Sequence, residues 1–154
     1  MHVLWNQLTL KTELNAANCT CFNLRKAARL VAQTYDHFLQ PSGLKNTQFS
    51  LLQVASKQGP ISITDLAAQL AMDRTTLTRN LKPLDRDKFI DIVPGKDART
   101  RNIRVTTHGL RTLNKATPMW EAAQMKLVGE LGTTHWRSLL KELKTVLGAV
   151  KAVN

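Results

Sequence analysis

Ser62 and Asp73 each stand where a helix can begin, and only the short connection Ala71-Met72 parts the two helices they open. Ser62 is followed three residues on by Asp65, much like a capping box, and Leu66, Ala67 and Leu70 recur behind it as a buried face. Asp73 caps a further helix that reaches about residue 87. Two helices joined by so tight a turn read as a helix-turn-helix. Directly afterwards the character changes. Residues 90–93 and 103–105 are short β-prone runs on either side of Pro94-Gly95-Lys96-Asp97, a pattern that predicts a hairpin. Helix, turn, helix and basic hairpin are the parts of a winged helix.

The flanks are helical. Leu24, Ala28, Val31, Tyr35 and Phe38 recur at helical spacing over 20–40, where Pro41-Ser42-Gly43 ends the run. A second helix is predicted over 47–57, with Thr47 as its N-cap, before Gly59-Pro60. Downstream, Thr106 or Thr107 starts a long helix to about residue 130, with a kink expected at Pro118. After Gly132-Thr133-Thr134, the residues Trp136, Leu140, Leu143, Leu147 and Val150 form the stripe of a last helix. The expected fold is mostly α, an α+β winged helix. A chain of 154 residues suits one domain, 1–154. Within it, 44–106 would be the winged helix-turn-helix lobe, and 1–40 with 107–154 a helical dimerisation lobe.

Charge narrows the partner. The formal net charge is +11, which points to nucleic acid or an anionic membrane. Between Asp73 and Lys115 stand 11 Lys or Arg against 5 Asp, so the surplus concentrates on the helix-turn-helix and hairpin. With 43% hydrophobic residues the chain can build a core. No run approaches the roughly 18 apolar residues of a membrane span, and with the charge so concentrated no membrane partner is expected. Residues 1–15 lack the basic start and apolar stretch of a signal peptide, and a cytoplasmic location is the expectation.

The fourth helix carries the most information. With Leu77 at zero degrees on a helical wheel, Leu81 and Leu84 fall within about 40°. Thr75, Lys82, Arg86 and Arg79 fall between about 140° and 200°, with Thr76 and Thr78 flanking them. Arginine can pair bidentately with guanine, and threonine can offer a hydroxyl to bases or phosphates or a methyl to thymine. The helix N-terminus, with Arg74 beside it, favours phosphate. A charged face alone could be a merely solvated one. The neighbouring hairpin decides against that, because Lys96, Arg99, Arg101 and Arg104 crowd on or beside its tip and repel one another unless an anion neutralises them. Asp97 lies two residues before Arg99 and could orient its guanidinium.

These residues resemble the MarR family of bacterial regulators over about 22–150. The specific part is Leu66-Ala67-x-x-Leu70 leading into Asp73-Arg74-Thr75-Thr76-Leu77-Thr78-Arg79, then Asp97-x-Arg99 and Val105-Thr106-x-x-Gly109. The resemblance implies a homodimer formed by the first and last two helices, a fourth helix in the major groove and a wing in the adjacent minor groove. It implies groove reading by Thr75, Thr76, Thr78 and Arg79, with Arg99 at the wing tip and Asp97 bracing it. Three positions depart from the pattern: Lys88 stands where Gly is usual, Val105 where Leu is usual, and Pro83 lies inside the recognition helix. Independently, Trp136, Leu139, Leu140, Leu143 and Val146 spread over more than one face of the last helix, and Trp5, Leu8 and Leu10 add apolar side chains. Both point to self-association.

Cys19-x-Cys21 offers a trigger, since a thiolate can be oxidised or bind a soft metal, and the cations Arg25 and Lys26 follow closely. The alternative is two small buried residues. Residues two apart on a helix diverge by about 200°, a poor arrangement for one metal or one disulfide. His2, His37, His108 and His135 show no ligand spacing, and neither a metal nor a cofactor is expected. The resemblance also implies a cleft for a small aromatic or anionic effector, which Tyr35, Phe49, Met119 and Trp120 could line, with Arg25 or Arg29 facing the anion. No phosphate loop, carboxylate pair or nucleophile motif suggests an enzyme. The leading expectation is a sequence-specific regulator of double-stranded DNA, a repressor released by a small ligand or thiol oxidation. The alternative is a sequence-neutral architectural DNA-binding protein.

Overall fold

The computed structural model describes residues 14–95, 97 and 100–153, the side chains of 152 and 153 excepted. A short 3-10 turn, Ala16–Asn18, leads into α1 (Thr20–Leu39), and a second, Gln40–Ser42, ends at Gly43 in the left-handed region. Then follow α2 (Asn46–Ser56), β1 (Ile61–Ser62), α3 (Ile63–Gln69), α4 (Arg74–Arg86), β2 (Ile90–Pro94), β3 (Arg101–Val105), α5 (Thr107–Leu131) and α6 (Thr133–Val153). The expected winged helix between two helical flanks is the observed architecture.

The core gathers where the apolar faces of the short elements meet. Phe49, Leu51 and Leu52 of α2, Leu66 of α3, Leu77 and Leu84 of α4, Ile90 of β2 and Ile103 of β3 are fully buried. Leu39 joins them from the end of α1, and Leu113 and Ala116 from the first half of α5. The three strands form one antiparallel sheet in the order β1-β3-β2. Ile103 sits opposite both Ile61 and Ile92, which fixes the register of the wing against the core. The two-residue strand β1 is not visible in the sequence pattern, and β3 starts at Arg101, two residues before its apolar run.

Other boundaries follow from hydrogen bonds that spacing alone does not reveal. The α2 helix is capped at Lys45, with Thr47 already inside its first turn. Here the Lys45 N–H donates to Gln48 Oε1 (2.8 Å) and the Asn46 N–H to Asp36 Oδ1 (2.6 Å), a tie to α1. Ser62 and Thr106 cap α3 and α5 as expected, accepting from the N–H groups of Asp65 and Gly109 at 3.0 Å each. The α5 helix is continuous across Pro118.

At the end of α4 the Phe89 N–H reaches the Leu84 carbonyl (2.8 Å) and the Lys88 N–H the Asp85 carbonyl (3.1 Å). This is a Schellman turn, and its pivot, Lys88, lies at φ +60. A side chain is strained there, because its Cβ crowds the following carbonyl. Lys88→Gly should therefore raise the unfolding free energy by about 0.5–1 kcal/mol, the strain removed less the extra freedom of the unfolded glycine. Urea denaturation at equal protein concentration measures it, and no gain would show that the surrounding turn already absorbs the strain.

Candidate nucleic-acid interface

The orientation of α4 is set from its inner side. Leu77, Leu81 and Leu84 are buried, which turns the opposite side of the helix outward. Arg74, Thr75, Thr78, Arg79 and Lys82 line one open surface depression of about 350 Å³. All five are exposed. Three cations thus share a concave surface with two threonines, beside a helix N-terminus whose amides and dipole favour anions.

Asp73 organises that terminus. Its Oδ1 accepts the Thr76 N–H (2.8 Å) and its Oδ2 the Thr76 hydroxyl (2.6 Å). The Thr76 side-chain hydrogen bond, then the backbone one, hold the Asp73 carboxyl below its ordinary value. A depressed carboxylate contributes its stabilisation in full above its unfolded value, near 3.8, and loses it as pH falls through the lower folded one. The cap is therefore intact at neutral pH. Thr76, expected among the groove readers, spends its hydroxyl on this cap. The spacing Asp73-x-x-Thr76 was the available sign. Thr78 donates its hydroxyl to the Arg74 carbonyl (2.7 Å). The Thr75 hydroxyl has no hydrogen-bond partner among the described residues.

Two arginines of the basic surface are engaged elsewhere. Arg86 Nε and an Nη reach the two carboxylate oxygens of Asp87 at 2.8 and 3.1 Å, a side-on pair that favours the charged form of both. It leaves Arg86 out of the depression lined by Arg74, Arg79 and Lys82. On the wing, Arg104 pairs with Asp91 across the strands (2.8 Å), matching their opposed register. Arg101 is exposed at the outer end of β3, opposite Pro94. The Asp97 carbonyl accepts both the N–H and the hydroxyl of Thr100 at 2.8 Å, closing the hairpin from within. Lys96 and Arg99, and with Arg99 its expected brace by Asp97, lie outside the described residues, as do Trp5, Leu8, Leu10 and His2.

The residues named for an effector cleft pack against one another. Phe49 is fully buried and stacks on Trp120, with centroids 5.8 Å apart and planes at 15°. Tyr35 meets the same indole at 6.3 Å and donates its hydroxyl to Gln124 Oε1, and burial raises its pKa. Met119 is half-buried beside them, while Arg25 and Arg29 are exposed on α1. The rings are thus a packed joint between α1, α2 and α5.

Cys19 and Cys21 are both exposed in the single chain, at the N-cap and in the first turn of α1, which corrects the reading of them as small residues buried in its own core. The reason is the length of α1. Only its last turns meet the core, at Tyr35 and Leu39, and residues 14–30 are exposed throughout. No group of three or more metal-ligating side chains occurs among the described residues. No helix among them is long and apolar enough to cross a membrane.

A model of the MarR family matches residues 44–99. Among solved structures, the Mycobacterium tuberculosis transcriptional regulator MosR in complex with DNA is 38% identical, with a TM-score of 0.80, covering 88% of this chain and 98% of that one. The transcriptional activatory protein BadR of Rhodopseudomonas palustris is 26% identical over 97% of this chain and 87% of its own length. The uncharacterized HTH-type transcriptional regulator YwoH of Bacillus subtilis is 28% identical over 83 residues, 54% of this chain and 61% of that protein.

Proposed function

Because the chain belongs to the MarR family of transcriptional regulators, we propose that it binds duplex DNA sequence-specifically as a homodimer and represses transcription from the bound site. The observation that carries this reading is the single depression lined by Arg74, Thr75, Thr78, Arg79 and Lys82. It combines bidentate and point-charge cations with threonines on a helix held outward by three buried leucines. The wing, Lys96 and Arg99 included, adds phosphate or minor-groove contacts on the flank.

Dimerisation is supported by apolar surface that one chain leaves in water. Phe22 and Leu30 of α1, Met125 of α5 and Leu139, Leu140, Leu147 and Val150 of α6 are all exposed. Patches of this kind on three helices of one lobe mark an interface. A dimer would place its two α4 helices on half-sites about one helical turn apart.

Two routes of release are open, a small aromatic or anionic effector and thiol oxidation. Two thiols lie together at the start of α1, exposed in the single chain, and support the second. A peroxide accepts two electrons from a thiolate, which becomes a sulfenic acid as the other peroxide oxygen leaves as water after protonation. The ring stack of Tyr35, Phe49 and Trp120 gives the effector less support.

The test is fluorescence anisotropy on duplex DNA from upstream of the protein's own gene, at near-physiological salt against excess random competitor. Competitor-resistant binding with two protomers per site supports a specific regulator. Binding erased by competitor, on this DNA and on duplexes selected from a random pool, supports a sequence-neutral coat instead. Peroxide should weaken the wild-type complex and dithiothreitol restore it, while a Cys19→Ser, Cys21→Ser double variant stays insensitive. Equal peroxide sensitivity in that variant would remove the thiols from the proposal.

A further inference from the structure

The three threonines on the outer side of α4 look interchangeable in sequence, yet their hydroxyl protons go to three different places. Thr76 gives its proton to the Asp73 cap (2.6 Å) and Thr78 gives its own to the Arg74 carbonyl (2.7 Å). The Thr75 hydroxyl has no acceptor among the described residues. A hydroxyl has only one proton to donate. The major-groove acceptors are purine N7, guanine O6 and thymine O4, and Thr78 has nothing left with which to bond them. Its oxygen can still accept from adenine N6 or cytosine N4, and its methyl is the group left for apolar contact. With the oxygen turned onto the helix backbone, the γ-methyl is the other heavy group on the Cβ of this exposed residue. The back-bond also restrains χ1, so the methyl needs little further ordering on contact.

We infer that Thr78 is a specificity residue that reads the 5-methyl group of a thymine by apolar contact, while its hydroxyl serves the helix. The inference rests on the groove-reading role of α4 proposed above and names which chemical group that role recognises. Thr78 shares its depression with Thr75, Arg79 and Lys82, so the methyl contact falls next to a guanidinium able to grip guanine O6 and N7. The preferred half-site therefore contains a thymine that matters through its methyl, close to a guanine read by Arg79. Thr75, whose hydroxyl has no partner among the described residues, is the threonine that donates to a base.

The experiment replaces thymine by deoxyuridine, which removes the methyl and leaves every hydrogen-bonding atom in place. Duplexes enriched by the full-length protein from a random pool are resynthesised with one thymine at a time exchanged, and binding is followed by anisotropy at fixed salt. One thymine per half-site should show a wild-type loss of about fourfold, the burial of one methyl group. Thr78→Ser, which keeps the hydroxyl and deletes the methyl, should bind the thymine duplex about fourfold more weakly per half-site, about 16-fold for the dimer, and no longer tell thymine from uracil there. Thr78→Val, which keeps a methyl and deletes the hydroxyl, should retain the discrimination. Melting temperatures of both variants check that the helix is intact. If a sequence is enriched but no thymine is sensitive, or Thr78→Ser still discriminates at the sensitive one, the methyl reading is overturned and the regulator reading stands. If no sequence is enriched at all, the regulator reading fails and takes this one with it.

Discussion

Gly109→Ala is expected to lower the unfolding free energy by roughly 3 kcal/mol, an overpacking penalty well above its helix-propensity benefit. Gly109 lies in the first turn of α5, where a Cβ would land on the Phe89 carbonyl oxygen and within 2.9 Å of the Phe89 carbonyl carbon and Val105 Cγ1. That carbonyl cannot step aside. It accepts the Thr106 N–H at 3.0 Å, and the Thr106 hydroxyl bonds the Lys88 carbonyl at 2.8 Å while capping α5. Alanine gains at most about 1 kcal/mol over glycine as a helix former, and less in a first turn, so the clash wins. Thermal unfolding at fixed protein concentration should show a midpoint about 10 °C lower. A change of under 2 °C would mean that α5 can shift away from the α4–β2 turn without loss.

Arg79→Ala should cost specific DNA binding about 1–3 kcal/mol per half-site, or about 5- to 150-fold for each, and flatten the preference at one base pair per half-site. The expectation follows from position. Arg79 is exposed, forms no ion pair among the described residues and shares its depression with Thr75 and Thr78. Arg86, by contrast, is held by Asp87. The check is the ratio of affinities for a selected duplex and a random one, at one salt concentration. Base readout predicts that the ratio collapses. A phosphate contact predicts equal losses on both and a shallower salt dependence, and that outcome would remove Arg79 from the reading set.

The helix-turn-helix was legible because its signals are local. Ser62 with Asp65, and Asp73 with the Leu77, Leu81, Leu84 stripe, place two helices and an outward face within a single short segment. Thr106, one of two candidates with Thr107 for the start of α5, was legible in the same way. What escaped was decided by partners distant in sequence or by competition between neighbours. The strand Ile61–Ser62 is too short to show alternation and exists because Ile103 offers it an edge. The α2 helix begins at Asn46 because Asp36, ten residues earlier, accepts its N–H. Thr76 reads as a base contact until Asp73 claims its hydroxyl, and Arg104 as a free cation until strand register sets Asp91 opposite. Cys19 and Cys21 could not be placed from spacing, since amphipathic periodicity says where a face points and not how far along α1 the core extends.

The length of α5 has a geometric consequence of its own. Its 25 residues form a rod of about 37 Å whose first half is embedded in the winged core at Leu113 and Ala116, while Met125 near its far end faces water. In the proposed dimer the rod is a ruler. It sets how far each reading helix stands from the two-fold axis, and therefore which phase of the double helix both can enter together. One residue inserted after Pro118 would advance the far end by about 1.5 Å and rotate it by about 100°. A chain so altered could keep each winged lobe intact and still fail to match any evenly spaced pair of half-sites, because the error would lie in the pitch between two correct surfaces.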